Sequence, residues 1–408
     1  SSPPWRMGAF AGTRGAVARG VLVLGLVLMV VGWAEGSGAG AVSKVNHPRP
    51  PLLKRQGLAR EAHNSSAGGG GVPTAKKDSS LDPANLLVVV IAALILVYAS
   101  HRALRPPFMD MSPGSGEAMA YEEQAEAGEM QLQTAFVFVV VASCSLMLIF
   151  YFMSAMAVLI TILFSFIAAL ALGALVYPYA DAWTNNRFSK EIDIPWLGPI
   201  PQLFFVLLPF CAAVVLGWLL TKSWILNNVL AISLIIFFLT SVRLSSLKVA
   251  SALLILAFFY DIFWVFLSSN IFGQNVMVKV ATGLDVPIKI LVPLFFSTGT
   301  DLQFTLIGLG DIVLPGLLLC FAMRFDDSKG VPLTAGYFAA TMVGYCVGLT
   351  VCEIVVGCFH LAQPAMIYLV PGTLIPFAYM AHSRGELGEA WEGLTGHSTH
   401  QRLSDDGV

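Results

Sequence analysis

The sequence predicts an all-α polytopic membrane protein with nine transmembrane helices. Of its 408 residues, 56% are hydrophobic and 12% are charged, whereas soluble domains carry about 25% charged residues. The mean hydropathy is +0.76. Nine apolar windows approach or exceed the length that crosses a bilayer as a helix. They are residues 84–100, 134–156, 157–178, 198–220, 224–242, 247–269, 304–321, 333–359 and 363–381.

The chain before the first window has the features of an export signal. Arg6, Arg14 and Arg19 precede a short apolar run, Val21–Val31, which small residues follow. That run rises only about 17 Å as a helix, too little to cross about 30 Å of hydrocarbon. The pattern predicts a signal peptide over residues 1–41, with an Arg-rich organellar transit peptide as the alternative.

Residues 42–83 are predicted to form a disordered luminal tail. They are rich in Gly, Ser and Pro and show no hydrophobic periodicity, which is typical of chains that cannot bury a core. The tail contains the sequon Asn64-Ser65-Ser66. Asn64 is therefore a candidate glycosylation site.

The distribution of basic residues predicts the orientation in the membrane. If the first helix runs from lumen to cytosol, ten Lys and Arg residues flank the helices on the cytosolic side and three on the luminal side. The positive-inside rule favours this arrangement. It gives a luminal N-terminus, helices one to five over residues 84–246, helices six to nine over 247–385, and a cytosolic tail over 386–408.

Two aspartates interrupt otherwise apolar windows. Asp261 lies in LLILAFFYDIFWVFLSS and Asp311 in FTLIGLGDIVLPGLLLCF. A charged side chain at the bilayer centre costs about 2.5–3.5 kcal/mol, so such residues usually face the bundle interior and mark function. At 1.5 Å per residue, the two lie about 12 Å and about 10.5 Å from the luminal ends of consecutive antiparallel helices. We expect their carboxyl groups to face each other.

Facing carboxyl groups have three interpretations. Two like charges at close range cannot both ionise, so the pair shares a proton. The ionised member can then deprotonate a water while the protonated member donates to a peptide carbonyl oxygen or leaving amine. A hydrogen-bonded pair that joins helices and ion- or proton-coupled transport explain the aspartates alone equally well.

The residues around Asp311 favour peptide hydrolysis. Gly308 and Gly310 leave room for another backbone beside the carboxylate. Pro315 is expected to kink the helix and free a carbonyl group. The segment Gln363-Pro364-Ala365-Met366 begins the ninth helix on the same side of the membrane. It is therefore expected to border the site.

Together these residues resemble the signal peptide peptidase and presenilin family of intramembrane aspartyl proteases. Tyr260-Asp261 is similar to the family's YD motif, Gly308–Asp311 to its GxGD motif, and Pro364–Met366 to its PAL motif. The similarity covers about residues 130–385 and includes Trp224–Asn228. A presenilin-like fold is implied, and the predicted orientation resembles the signal peptide peptidase branch.

The resemblance implies an enzyme that cleaves within the membrane segments of type II single-span proteins or signal-peptide remnants. Its catalytic residues are Asp261 and Asp311, and no metal or other cofactor is implied. Residence in the endoplasmic reticulum, Golgi or endosome is implied as well. The residues implied to support the site or bind substrate are Tyr260, Gly308, Gly310, Gln363, Pro364, Ala365 and Met366.

One residue departs from the family pattern. Met366 stands where the PAL motif has Leu. The two side chains are alike in volume and apolarity, so a change in site shape or specificity is expected rather than loss of activity.

Three further features of the last helices have separate interpretations. Residues 276–280 read as an extended luminal strand that pairs with unwound substrate. Glu353 is assigned no catalytic role. Small residues recur every four positions in the eighth helix, which predicts close helix packing. They are Gly336, Ala340, Gly344, Gly348 and Cys352.

Two other functions remain as alternatives. An ion- or proton-coupled transporter predicts internal repeats, and the sequence shows no convincing one. A catalytically silent membrane scaffold would bind single-span helices without cleaving them. The formal net charge of −2 does not predict nucleic-acid binding, and the sequence leaves a homo-oligomer open. All six cysteines lie in apolar segments, which does not predict disulfides.

Overall fold

The computed structural model describes residues 82–104, 129–184, 191–194, 198–273, 286–295, 303–359 and 363–393, together with Val276 and Val280. The predicted signal peptide, Asn64 and all but the end of the predicted luminal tail lie outside these residues, as does the chain after residue 393. The assignments made for those segments stay predictions.

The described part of the chain is mainly helical. Its helices are α1 (Pro83–Leu104), α2 (Leu132–Tyr151), α3 (Met153–Thr184), α4 (Gln202–Thr221), α5 (Trp224–Ser241), α6 (Leu247–Ile262), α7 (Ser268–Phe272), α8 (Leu309–Lys329), α9 (Tyr337–Phe359), α10 (Met366–Ser383) and α11 (Leu387–Glu392). One turn of π-helix, Phe263–Leu267, joins α6 to α7.

Short strands pair in three two-stranded sheets. Strand β1 (Glu129–Met130) pairs in parallel with β4 (Arg243–Leu244), and β2 (Glu191–Ile194) pairs antiparallel with β3 (Gly198–Pro201). Strand β5 (Lys289–Pro293) pairs antiparallel with β6 (Phe304–Gly308), with Ile290 opposite Ile307. Strand β6 runs directly into α8 and therefore places the start of that helix.

The all-α, membrane-spanning class is confirmed. Seven of the described helical segments are long and apolar enough to cross a membrane: Pro83–Leu104, Leu132–Tyr151, Met156–Thr184, Gln202–Thr221, Trp224–Ser241, Leu247–Phe272 and Tyr337–Cys358. Large apolar side chains such as Leu86, Leu159 and Ile162 are more than half exposed on them, as expected of surfaces that face lipid.

The predicted number of nine spans is not confirmed by this criterion. The two predicted spans that fall outside it correspond to α8 and α10. Helix α8 carries Asp311, Arg324 and Asp326, and α10 contains Pro371 and Pro376.

Helix α8 is the centre of the bundle. It packs against α1, α5, α6, α9 and α10, and residues 309–323 are all buried. A Cβ atom on Gly316 would lie 2.6 Å from Leu96 Cδ2 and 3.0 Å from Leu239 Cδ2, so α1 and α5 approach this helix closely. Because protein surrounds α8 on all sides, it can carry polar groups that a lipid-facing helix would not tolerate.

Helices α9 and α10 form the most extensive helix pair. Their closest approach is at Gly344, where an added Cβ atom would collide with the carbonyl oxygen of Gly372, and at Gly348, where it would lie 2.7 Å from the carbonyl oxygen of Tyr368. Pro376 cannot donate to the carbonyl of Gly372, four residues earlier. The predicted small-residue contact surface is confirmed at these positions.

Two secondary-structure predictions are wrong. The window predicted as a helix from residue 304 begins with strand β6, and the helix starts at Leu309; a short apolar run rich in β-branched residues suits either state, and pairing with β5 decides it. Val276 and Val280, predicted in a strand, are helical and buried.

Candidate active site

Asp311 lies in the first turn of α8, at the end of strand β6. Gly308 has extended dihedral angles (φ −74°, ψ 150°) and is the N-cap of the helix. Asp311 is therefore not seven residues inside a helix, and the helical rise behind the predicted depth of about 10.5 Å does not apply, because residues 304–308 form a strand. The unpaired N–H groups of a helix N-terminus favour negative charge at this position.

Asp311 is near the start of its helix, whereas Asp261 lies one residue before the end of α6. The N–H of Phe263 contacts both the Phe259 and the Tyr260 carbonyl oxygens, where the α-helix widens into the π-turn. Asp261 is 0% exposed and Asp311 1% exposed. Helices α6 and α8 pack together, and the two carboxyl groups are close enough to interact electrostatically.

The beginning of α10 contacts Asp261 directly. The N–H of Met366 donates to Asp261 Oδ2 at 3.2 Å. Pro364, Ala365 and Met366 are buried, while Gln363 Oε1 accepts from the Tyr368 hydroxyl at 2.7 Å. The structure therefore brings the predicted bordering segment to the aspartates. The contact is made by the main chain at Met366, so the difference between Met and Leu does not alter the hydrogen-bonding atom.

The remaining predicted site residues lie around the same pair. Gly308 and Gly310 are buried on either side of the strand-to-helix junction. Tyr260 is buried beside Asp261, and its ring lies 6.1 Å from that of Trp264. All nine predicted site residues thus fall at the junctions of α6, α8 and α10.

The carboxyl group of Asp311 has few polar contacts. Its two oxygens are buried and form no hydrogen bond with any residue the structure describes. Glu353 is 9% exposed and near enough to interact electrostatically with Asp311. Within the described ranges, no group of three or more His, Cys, Asp or Glu side chains is arranged to hold a metal ion.

Sequence reasoning missed two sets of contacts at the site. Asn227 Nδ2 donates to the Lys289 carbonyl at 2.7 Å. Asn228 donates to the Leu291 carbonyl at 2.7 Å and accepts from the Leu291 N–H at 2.9 Å. These asparagines end the segment Trp224–Asn228, which is part of the family similarity, but nothing in the local sequence shows that they bind a distant strand.

The second missed contact is made by a tyrosine of α9. The Tyr345 hydroxyl donates to the main-chain carbonyl of Asp311 at 3.3 Å. The available signal was Pro315, which was predicted to free a carbonyl without any indication of what would bind it.

Comparison with known proteins identifies a family and relatives that match more than half of the chain, and the family match includes the helices that carry Asp261 and Asp311. A family model described as signal peptide peptidase matches residues 122–396. Signal peptide peptidase-like 1 of Arabidopsis thaliana is 32% identical over 276 residues, which is 57% of this chain and 74% of that protein. The protein of the same name from Oryza sativa subsp. japonica is 33% identical over 271 residues, 55% of this chain and 72% of that protein.

Longer relatives are matched over a smaller share of their length. Signal peptide peptidase-like 3 of Oryza sativa subsp. japonica is 37% identical over 211 residues, 50% of this chain and 40% of that protein. The match thus spans less than half the length of that relative. No solved structure matches the chain.

Proposed function

We propose, starting from the fact that this chain belongs to the signal peptide peptidase family, that it is an intramembrane aspartyl endopeptidase. The observation that carries the proposal is the buried pair Asp261 and Asp311 at the junction of α6 and α8. Asp261 Oδ2 also accepts from the Met366 N–H.

The pair is suited to carry one negative charge. Two neighbouring buried carboxyl groups that repel each other do not both ionise readily, so the pair is expected to share one proton. A main-chain N–H stabilises charge on Asp261, and the helix N-terminus stabilises it on Asp311. The ionised carboxylate takes a proton from the attacking water, and the protonated one donates to the substrate carbonyl oxygen and then to the leaving amine.

A substrate has to unwind before it is cut, because a helical peptide bond has its carbonyl hydrogen-bonded. The β5–β6 hairpin could bind the unwound substrate as an additional strand. Asn227 and Asn228 occupy the outer edge of β5 at Lys289 and Leu291. The outward main-chain groups of β6 belong to the residues opposite these, which include Leu306 and Gly308.

We therefore propose that an unwound substrate adds as a strand at the outer edge of β6, and not at residues 276–280, where Val276 and Val280 are helical. An extended peptide paired with this edge would run beside Gly308 and so reach Asp311. Strand β6 leads into α8 without an intervening loop. The distance between the substrate-binding strand and the Asp311 carboxylate is therefore fixed.

We propose that the substrates are type II single-span membrane segments or signal-peptide remnants, held in the lipid bilayer of the endomembrane system. The N-terminus is luminal, the C-terminus cytosolic, and residues 247–385 form the catalytic part.

A cleavage assay with purified protein tests the function. A type II single-span peptide in bilayer vesicles is expected to be cut within its apolar segment, and Asp261→Asn and Asp311→Asn are each expected to abolish cleavage while Glu353→Gln retains it. Cleavage that persists in either Asn variant refutes the mechanism. Peptide binding without cleavage in the unmodified protein supports the silent scaffold, and ion flux without cleavage supports the transporter.

A further inference from the structure

A proline near the site removes a hydrogen bond from Asp311. In an α-helix the carbonyl of residue 311 accepts from the N–H of residue 315. Residue 315 of α8 is Pro315, which has no N–H. The carbonyl it leaves free belongs to Asp311, and both residues are buried, so this carbonyl needs a donor from elsewhere in the protein.

Tyr345 replaces the missing donor from another helix. Its hydroxyl donates to the Asp311 carbonyl oxygen at 3.3 Å, and its side chain is 0% exposed. A buried tyrosine hydroxyl needs a hydrogen-bond partner, and a buried carbonyl needs a donor. The Tyr345 hydroxyl and the Asp311 carbonyl, 34 residues apart in the sequence, therefore satisfy each other's hydrogen bonding.

The position of Tyr345 is fixed by its neighbours in α9. Gly344, immediately before it, contacts the Gly372 carbonyl of α10, and Gly348 contacts the Tyr368 carbonyl. Helix α10 begins at Met366, whose N–H binds Asp261. The α9–α10 pair thus holds Asp311 through a side chain and Asp261 through the main chain.

We propose that Tyr345 is a positioning residue that sets Asp311 against Asp261 by substituting for the helix hydrogen bond that Pro315 removes. The Asp311 carbonyl in the first turn of α8 accepts a hydrogen bond from Tyr345 of α9, instead of one from the N–H of residue 315 in the next turn. The orientation of the Asp311 carboxyl group therefore follows the α9–α10 pair, to which Asp261 is also bound. This inference rests on the proposed function, since it describes how the proposed dyad is aligned.

A double-mutant cycle separates this role from general packing. Tyr345→Phe deletes only the hydroxyl, and it is expected to lower kcat about tenfold with KM changed less than about twofold. Pro315→Ala restores an N–H at residue 315. In that background, Tyr345→Phe is expected to change kcat by less than about twofold, because the Asp311 carbonyl keeps a donor.

Tyr337→Phe provides the matched control. Tyr337 is a fully buried tyrosine of the same helix. It is the first residue of α9, eight residues before Tyr345, and its hydroxyl donates to Glu386. It is expected to leave kcat unchanged with either residue at position 315. An equal loss of kcat from Tyr345→Phe with Pro or Ala at 315 overturns the proposal.

Hydrogen exchange of the peptide covering residues 304–321 gives a readout that does not depend on cleavage. Tyr345→Phe is expected to speed exchange there when residue 315 is Pro and not when it is Ala. If the protein cleaves nothing but the exchange cycle holds, the proposed function fails and the contact stands. If cleavage occurs and neither cycle shows coupling, the positioning role fails and the function stands.

Discussion

Asn228 holds strand β5 as a neighbouring strand would. Both halves of its amide bind Leu291, accepting from the N–H at 2.9 Å and donating to the carbonyl at 2.7 Å. Asn228→Ala leaves both main-chain groups of a residue that is 8% exposed without these partners. At about 1–3 kcal/mol for each unsatisfied group, the β5–β6 hairpin is expected to lose about 2–6 kcal/mol of stability.

Hydrogen exchange measures this loss directly. Even the lower value corresponds to exchange about 30-fold faster in peptides that cover residues 286–295 and 303–308. Cleavage is expected to fall as well, because β6 leads into the helix of Asp311. Ser233→Ala in the same helix is the control, since Ser233 donates to the Val229 carbonyl of its own helix and to no other residue that the structure describes. Unchanged hairpin exchange in Asn228→Ala would refute the view that the asparagine holds the strand.

Two other substitutions probe the helix pair α9–α10 and its connection to α8. Gly344→Ala places a methyl group against the Gly372 carbonyl, and overpacking of this kind costs about 1–3 kcal/mol. Thermal unfolding in detergent is expected at a lower temperature than for Gly357→Ala, where a Cβ atom would meet no other atom within 4 Å; equal melting of the two variants contradicts the close contact. Asp326→Ala removes the carboxylate that accepts from the Tyr337 and Phe338 N–H groups, both at 2.8 Å. The loss of this cap is expected to cost about 0.5–2 kcal/mol, measured as a lower melting temperature of the whole protein by circular dichroism and as faster hydrogen exchange in peptides from the start of α9. No loss would show that other groups cap the helix.

Hydropathy and composition predicted the helices of this protein because each long apolar window contains one. The pairing of Asp261 with Asp311 and the proximity of Met366 followed from motif order and from the alternation of helix direction. The apolar windows, the order of the motifs and the direction of each helix can all be read directly from the sequence, so they could be predicted without a structure.

Interactions between distant segments were not predictable in the same way. Residues 304–308 are as apolar as the helix they precede, and only their pairing with β5 makes them a strand. The partner of the carbonyl freed by Pro315 lies on α9. Helix periodicity indicates which face is buried, but not which side chain on another helix reaches a given carbonyl.

The proposed pairing of a substrate with the outer edge of β6 has a consequence for substrate range. Asn227 and Asn228 bind the main chain of β5 at Lys289 and Leu291, so the proposed peptide would pair with β6 and not with β5. Main-chain hydrogen bonds of this kind are blind to side-chain identity. An enzyme that recognises its substrates there would choose among membrane segments by how readily each one unwinds, so glycine or another helix-weakening residue near the cut would matter more than any consensus sequence.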